Sequence, residues 1–391
     1  MQEAYIVAGC RTAVGKAKRG GFRFYRPDDL AITVIKGLMA SVPQLEPGRV
    51  DDVLVGNAVP EAEQGLQVGR IISARALGIE VPGATVNRYC ASGLETIAMA
   101  TAKIRTGQAD CIIAGGTESM SMVPASGWKT VPSYSIASDE PDYYLNMGLT
   151  AEAVSKEFNI SREDADAFSY HSHQKAINAI QNGYFKEGIL PVEVEEVYVD
   201  PGGKRQVKKF VVDTDEGPRS DTSLEALQKL KPVFAANGVV TAGNSSQTSD
   251  GAAFVVVMSE KMMQELQLQP LGRLVASAVA GVPPRIMGIG PVAAIPKALN
   301  RAGLALNDID LIELNEAFGA QSLAVIREAG LNPDIVNING GAIALGHPLG
   351  CTGCKLTIQL LGDLKRLNKK YGMVTACVGG GQGIAGIIER F

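Results

Sequence analysis

The sequence predicts an α/β protein whose largely parallel sheet is covered by helices on both faces. Short β-branched runs bounded by glycine alternate with stretches whose apolar residues recur at helical spacing. Strands that are apolar throughout are typical of a sheet buried on both sides. At 391 residues the chain is longer than the roughly 250–300 residues that one core fills, so several domains or a duplicated unit are expected.

The predicted strands share cores rich in Val, Ile, Leu and Ala and cover residues 5–8, 53–55, 111–114, 254–258, 311–314, 336–338 and 373–378. Apolar spacing predicts helices over 94–105 and 317–328. Ser161, followed by Asp164, resembles a capping box that begins another helix, and Gly183 is a suitable end for it. Residues 192–199 and 206–212 alternate around a turn at 200–203, which predicts a hairpin.

Two parts of the chain repeat the same order of elements. VDDVLVGN (from Val50) and TVNRYCASGLE (from Thr85) correspond to NDIDLIELNEA (from Asn307) and VNINGGAIALGHPLG (from Val336). Between these halves, about 121–250 is more polar and holds most of the tyrosines. We expect an inserted lobe over the face where the halves meet, where ligands of open α/β sheets bind.

Composition excludes several classes of protein. Lys+Arg 37 against Asp+Glu 41 gives a formal net charge of -4, which argues against a nucleic-acid or membrane-surface partner. Six cysteines are too few for a disulfide framework, so we expect reduced thiols and a cytoplasmic location. The longest apolar run, 252–258, is far shorter than the ~20 residues of a membrane-spanning helix.

Cys90 and His347 are the first candidates for chemistry. Cys90 lies where a predicted strand meets a helix, and a helix N-terminus favours the thiolate; a buried structural cysteine is the alternative. His347 lies in a tight turn that matches the Cys90 turn in the duplication, so the two could form a thiol–imidazole pair. His171 and His173 are two apart on a predicted helix, face different directions, and are expected at the surface.

Three further groups leave alternatives open. Cys377 precedes the segment VGGGQG, whose N–H groups could converge on a phosphate or an oxyanion, although no P-loop lysine follows. Asn315 ends a strand and is either a helix cap or an amide that holds a water or an oxyanion. Cys351 and Cys354 form a CxxC without a second ligand pair, so no metal site is expected; small residues at a helix start are favoured over a redox dithiol.

Together these segments resemble the thiolase family. The resemblance rests on NRYCASGLE, NEAFGAQ, GGAIALGHPLGCTG and CVGGGQG, which follow the family's order, and it runs from IVAGCRTAVGK to IIERF. TAGNSSQTSDGAA and GVPPRIMGIGP resemble the degradative 3-ketoacyl-CoA branch. The resemblance implies a five-layered, duplicated βαβαβαββ fold. Its halves would be 1–120 with 250–269, and 270–391, and 121–249 would be an inserted CoA-binding loop domain.

The resemblance also implies residue roles. Cys90 would be the acylated nucleophile, His347 its activator, and Cys377 the acid and base at the acetyl carbon. One oxyanion site would come from His347 and a water held by Asn315, and the other from the N–H groups of Cys90 and Gly379. The positions that match CoA contacts are Arg219 near the adenine, and Ser246, Phe234, Met147, Met287 and Phe318 along the pantetheine.

The implied activity is thiolytic cleavage of 3-ketoacyl-CoA by CoA in fatty acid β-oxidation, with a biosynthetic acetoacetyl-CoA thiolase as the alternative. Asn146 stands where short-chain members usually have His, which favours longer acyl chains. CoA would be a co-substrate, with no permanently bound cofactor and no metal. The resemblance further implies a homodimer or homotetramer and association with other β-oxidation enzymes. A ketoacyl synthase would be expected to carry a second histidine where this chain has Cys377.

Overall fold

The computed structural model describes residues 2–391 and folds them into two similar halves with an insertion between them. The first half contains β1 (Ala4–Arg11), β2 (Gly15–Lys16), α1 (Pro27–Ser41), β3 (Asp52–Gly56), α2 (Val68–Leu77), β4 (Gly83–Val86), α3 (Ser92–Arg105) and β5 (Cys111–Ser119). The insertion contains α4 (Tyr134–Asp139), α5 (Met147–Glu157), α6 (Arg162–Gln181), β6 (Val192–Val199), β7 (Arg205–Val212) and α7 (Leu224–Gln228).

The chain then returns to the first half through β8 (Ser249–Ser259) and α8 (Glu260–Glu265). The second half contains β9 (Gly272–Gly281), α9 (Gly290–Ala302), β10 (Leu311–Leu314), α10 (Gly319–Glu328), α11 (Ala342–Leu345), α12 (Leu349–Arg366), β11 (Tyr371–Val378) and β12 (Gln382–Arg390). The division of the chain into domains at 120, 249 and 269 stays a prediction.

The strands run in the order β10-β11-β12-β9-β1-β8-β5-β3-β4, and the two halves join through the pair Ile6 and Gly272. The prediction of a largely parallel sheet is wrong. Among the strand pairs of residues 2–391, only β3/β4, β3/β5 and β10/β11 are parallel, whereas β8 and β12 run antiparallel to their neighbours. An apolar strand indicates burial on both faces, and it carries no information about strand direction.

Helices and strands form five layers, as expected. α1 and α2 cover the outer face of the first half, and α9 and α10 cover that of the second. α3 and α12 lie between the two halves, where Leu94 and Ile97 share one apolar core with Leu356 and Leu360. The central layer therefore consists of the two helices that follow the Cys90 and His347 turns.

The predicted strand at 336–338 is reduced to one parallel bridge between Val336 and Ile312. Asn337 has a φ of 47°, and this left-handed conformation ends an extended run after one residue. The Asn337 side chain takes the place of the missing strand pairing with β10. Its Oδ1 accepts from Leu314 N at 2.8 Å, and its Nδ2 donates to Leu314 O at 2.9 Å.

In the insertion, the predicted helix and hairpin are both present. Ser161 caps α6, its Oγ accepting from Asp164 N at 3.0 Å, and Gly183 follows the helix end with a φ of 72°. β6 and β7 pair antiparallel around Asp200, whose Oδ1 accepts from Gly202 N at 2.9 Å. Across residues 2–391 no helix is long and apolar enough to span a membrane.

Candidate active site

Four turns meet beyond the carboxyl ends of strands from both halves. Cys90 follows β4 in a single turn, Tyr89–Ala91, that leads into α3. Asn315 follows β10 directly, and Cys377 is the penultimate residue of β11. His347 lies between α11 and α12, and the Cys90 turn packs against the N-terminal part of α12. The duplication therefore places the two matching turns side by side.

The Cys90 sulfur is buried, and this burial decides its protonation. Burial raises the pKa of the Cys90 thiol to about 11, although hydrogen bonds from the backbone N–H groups of Gly379 and Cys90 lower it. The charge of Glu118 raises the pKa further. The N–H groups do favour the thiolate, as expected from the turn at the helix start, but burial outweighs them, so the sulfur is a protonated thiol at neutral pH in the unliganded protein.

His347 is a neutral imidazole held from both nitrogens. Burial lowers the pKa of His347 to about 4, and the charge of Lys355 lowers it further. Nε2 lies 3.2 Å from Asn315 Nδ2, and Nδ1 lies 2.6 Å from Thr352 Oγ1, which donates to Pro348 O at 2.9 Å. This network assigns the proton to Nδ1 and leaves Nε2 as the acceptor.

Asn315 is fully buried and has an unused acceptor. Its Nδ2 faces His347, but its Oδ1 has no hydrogen-bond partner within residues 2–391. A buried amide oxygen normally has a partner, and a water molecule commonly provides it. This geometry suits an amide that orients a water beside the imidazole.

Cys377 is the second buried thiol of the site. Burial raises its pKa far above the usual value, and ionisation of the neighbouring Cys90 would raise it further, so Cys377 is a thiol at neutral pH. It packs with Met287 and Phe318 in a small apolar cluster. The turn that follows reverses β11 into β12 with Gly380 and Gly381 at φ of 80° and 85°, a conformation that favours glycine.

Most of the positions predicted to contact CoA lie around these groups. Met147 begins α5, and a side chain on Gly379 would meet its sulfur at 3.8 Å. Phe234 packs against Gly148, next to Met147. Ser246 donates its N–H to Ala317 O at 2.9 Å, one residue from Phe318. Met287 and Phe318 pack against Cys377, whereas Met147 and Phe234 are more than a third exposed.

Arg219 stands apart from these positions. Its guanidinium is 3.4 Å from the Asp221 carboxylate, and both side chains are largely exposed. Its backbone N–H donates to His173 Nδ1 at 3.2 Å.

His173 is buried, so its predicted surface position is wrong, whereas His171 is exposed. Burial lowers the pKa of His173 to about 4. The hydrogen bond to the Arg219 backbone accounts for the buried imidazole.

Family models match nearly the whole chain. The model for "Thiolase, N-terminal domain" covers residues 4–261, and that for "Thiolase, C-terminal domain" covers residues 268–390. The chain belongs to the thiolase family. It is an acyltransferase, and thiolases use CoA as a substrate.

Similar proteins include both activities that the sequence suggested. A 3-ketoacyl-CoA thiolase of Bacillus subtilis is 53% identical over 390 residues, covering 100% of both chains. An acetyl-CoA acetyltransferase of Pseudomonas aeruginosa is 42% identical over 403 residues, again covering 100% of both. The crystal structure of human mitochondrial 3-ketoacyl-CoA thiolase matches with a TM-score of 0.89 at 38% identity, covering 100% of this chain and 99% of that one.

Two residues near the thiolase site were not predicted from the sequence. Thr352 orients His347, and its position one helical turn after Pro348 could have indicated that its hydroxyl bonds back to this turn. Glu118 binds the start of α12 from the end of β5, and no local pattern indicates such a long-range contact.

Cys351 and Cys354 are free, buried thiols in the first turns of α12. Within residues 2–391, no group of His, Cys, Asp and Glu side chains could hold a metal ion.

Close backbone contact lets α12 reach this site. A Cβ on Gly350 would lie 2.6 Å from Asn57 Cα and 2.7 Å from Gly56 O. A Cβ on Gly116 would lie 2.1 Å from Gly350 O, and one on Gly93 would lie 2.8 Å from Cys354 N. These distances are shorter than real side chains tolerate, so glycine is required where the His347 and Cys90 helices meet.

Gly350→Ala should therefore displace the His347 turn. We expect about a 10²-fold loss of activity, since a shift of about 1 Å can cost that much. Overpacking should also lower the free energy of unfolding by about 1–3 kcal/mol. Thiolysis rates and thermal unfolding would measure both effects.

Gly362→Ala is the matched control on the same helix. Nothing lies within 4 Å of a Cβ at Gly362, so alanine should raise the stability by about 0.5–1 kcal/mol and leave the rate unchanged. A Gly350→Ala enzyme with the wild-type rate would show that the close contact does not position His347.

Proposed function

We propose that this thiolase cleaves 3-ketoacyl-CoA with CoA, giving acetyl-CoA and a shortened acyl-CoA, through an acyl thioester on Cys90. The observation that carries the proposal is the pairing of two buried thiols, Cys90 and Cys377, beside an imidazole oriented by Asn315 and Thr352. One thiol can carry the acyl group while the other moves a proton, which is what cleavage of a carbon–carbon bond next to a thioester requires.

In the first step Cys90 attacks the C3 carbonyl of the substrate and His347 Nε2 accepts the thiol proton. Because the pKa of Cys90 is about 11 and that of His347 about 4, a preformed ion pair is unfavourable. The proton therefore moves as the sulfur–carbon bond forms. The N–H groups of Cys90 and Gly379, which reach the sulfur in the unliganded protein, are close enough to stabilise the oxygen at C3.

Breaking the C2–C3 bond releases the enolate of acetyl-CoA. Its oxygen would be stabilised by His347 and a water on the free Oδ1 of Asn315. Its C2 carbon takes the thiol proton of Cys377, which the apolar cluster keeps protonated. The proton that His347 took from Cys90 passes to the Cys377 thiolate, which restores both groups. CoA then attacks the acyl thioester while His347 accepts the proton of the CoA thiol, and His347 returns that proton to the Cys90 sulfur as the shortened acyl-CoA leaves. The reverse sequence is a Claisen condensation.

The degradative direction and fatty acid β-oxidation are proposed from two observations. The Bacillus subtilis and human relatives carry the name 3-ketoacyl-CoA thiolase. Asn146, where short-chain members usually have His, caps α5, its Oδ1 accepting from Leu149 N at 2.9 Å next to Met147. The relative named acetyl-CoA acetyltransferase keeps the biosynthetic acetoacetyl-CoA thiolase as a second candidate.

Initial rates of thiolysis on a series of 3-ketoacyl-CoA chain lengths, measured beside condensation of acetyl-CoA, test this proposal. We expect cleavage of medium and long chains with kcat/KM at least equal to that for acetoacetyl-CoA. Activity restricted to acetoacetyl-CoA would instead support the biosynthetic candidate. No activity on any 3-ketoacyl-CoA would reject both.

We further propose a homodimer or homotetramer. β4 is an edge strand, and nearby Leu66 and Ile79 are 93% and 75% exposed. Unpaired edges with exposed apolar side chains are typical of surfaces that pair with another chain. Light scattering should give two or four times 41.1 kDa, and a fully active 41.1 kDa species would contradict this.

Cytoplasmic location and association with β-oxidation enzymes also stay predictions. Cell fractionation would test the first and co-purification the second.

A further inference from the structure

Glu118 is a buried carboxylate that binds both halves of the molecule. It lies near the end of β5, and its Oε2 accepts from Ala58 N and from Gly350 N, both at 2.8 Å. Its Oε1 accepts from Gln64 Nε2 at 2.7 Å and from Asn57 Nδ2 at 3.2 Å. The N–H of Gly350 belongs to the first turn of α12, three residues after His347. The other three donors belong to the first half.

The partners of Glu118 are unusual because none of them carries a positive charge. A buried carboxylate is costly unless its hydrogen bonds replace water, and here four neutral N–H groups do so. Burial raises the pKa of Glu118, and the hydrogen bonds from Ala58, Gly350 and Gln64 oppose that rise. Its position at the N-terminus of α12 is also favourable for a negative charge.

We propose that Glu118 is a positioning residue of the active site, which fixes the first turn of α12, and with it His347, against the Cys90 turn. One oxygen is shared between Ala58, just after β3, and Gly350 of α12, so a movement of the His347 turn away from the first half breaks a charge-assisted hydrogen bond. The glycine contacts at Gly350 allow the close approach of α12, and Glu118 holds it there. This inference rests on the proposed function, because it assigns His347 as the base for Cys90.

The charge of Glu118 acts on the same site. It raises the pKa of the Cys90 thiol, and it raises that of Cys351 in the first turn of α12. On the paired strand β8, the carboxylate of Asp250 is bound to Ser119 and Ser121. The groups that face Glu118 from residues 57–58, just after β3, and from the 62–64 turn are neutral. Removing the charge should therefore favour the Cys90 thiolate.

Two variants separate position from charge. Glu118→Asp keeps the charge but shortens the reach, and Glu118→Gln keeps the length but presents an NH₂ group to donors. Both should slow thiolysis, and the exchange of labelled CoA with acetyl-CoA, by about 10²-fold, since both reactions use His347. Asp363→Asn is the control, because Asp363 is a buried carboxylate on the same helix that binds Asn339 and Arg366. It should lower the melting temperature and leave exchange near the wild-type rate.

Alkylation of the Cys90 peptide by iodoacetamide, followed by mass spectrometry across alkaline pH, is the second measurement. In Glu118→Gln the pH profile of Cys90 should shift to lower pH, and in Glu118→Asp it should not shift. Alkylation of the Cys354 peptide would report a general loosening of the packing, so in both variants this peptide should stay as unreactive as in the wild type. Should Glu118→Gln fail to fold, Glu118→Asp carries the test of positioning alone.

The inference is overturned if both variants exchange CoA at the wild-type rate. It is also overturned if Asp363→Asn, at an equal loss of stability, slows CoA exchange as much as the two Glu118 variants do. A wild-type protein that shows neither exchange nor thiolysis would instead reject the proposed function, so the two failures are distinguishable.

Discussion

Replacing Cys90 by alanine is expected to abolish thiolysis, condensation and CoA exchange together, because all three pass through an acyl group on its sulfur. Loss of a nucleophile in enzymes with covalent intermediates reduces kcat by about 10⁴–10⁶-fold, and we expect a loss in that range. Cys90 is buried and the variant removes only one sulfur atom, so the fold should be kept. Steady-state rates and thermal unfolding of the variant would check both expectations.

Mass spectrometry of the wild type incubated with acetyl-CoA should show an acetyl adduct on the Cys90 peptide. Cys354→Ala is the matched control, because Cys354 is also a buried thiol and its Sγ only faces Ala114 O, at 3.8 Å. This variant should retain thiolysis and the adduct. An adduct on Cys351 or Cys354 in place of Cys90 would overturn the assignment of the nucleophile.

Replacing Cys377 by serine is expected to slow carbon–carbon cleavage and condensation by about 10²–10⁴-fold, the usual contribution of a general acid–base group. A hydroxyl is a far weaker acid than a thiol, whose unperturbed pKa is about 8.5. Transfer of acetyl from CoA to Cys90 and back moves no proton at the acetyl carbon. Exchange of labelled CoA with acetyl-CoA should therefore survive in Cys377→Ser much better than thiolysis does.

Cys90→Ser is the paired variant for this experiment and should lower exchange and thiolysis alike. The ratio of the two rates in the Cys377 variant decides the role of that thiol. If Cys377→Ser lost exchange as completely as thiolysis, then Cys377 would not act at the carbon, and its place in the apolar cluster with Met287 and Phe318 would be structural.

Local patterns predicted the elements that depend on neighbouring residues. The Ser161 cap, the hairpin around Asp200 and the helix after Cys90 were all predicted from residues within a few positions of one another. Strand direction was not predictable in this way, because it depends on how far the chain travels before pairing. The strand at 336–338 failed for another reason: Asn337 takes a left-handed conformation that its long-range hydrogen bonds to Leu314 stabilise.

The sequence by itself determined the family and the chemical groups, because motifs around Cys90, His347 and Cys377 identify residue types and their order. Only the tertiary structure decided their protonation. Both thiols and the imidazole are neutral because segments far apart in the chain bury them, and the cost of desolvating a charge depends on that burial. The hydrogen bond from Gly350 N to Glu118, across 232 positions of sequence, likewise could not be predicted from any local pattern.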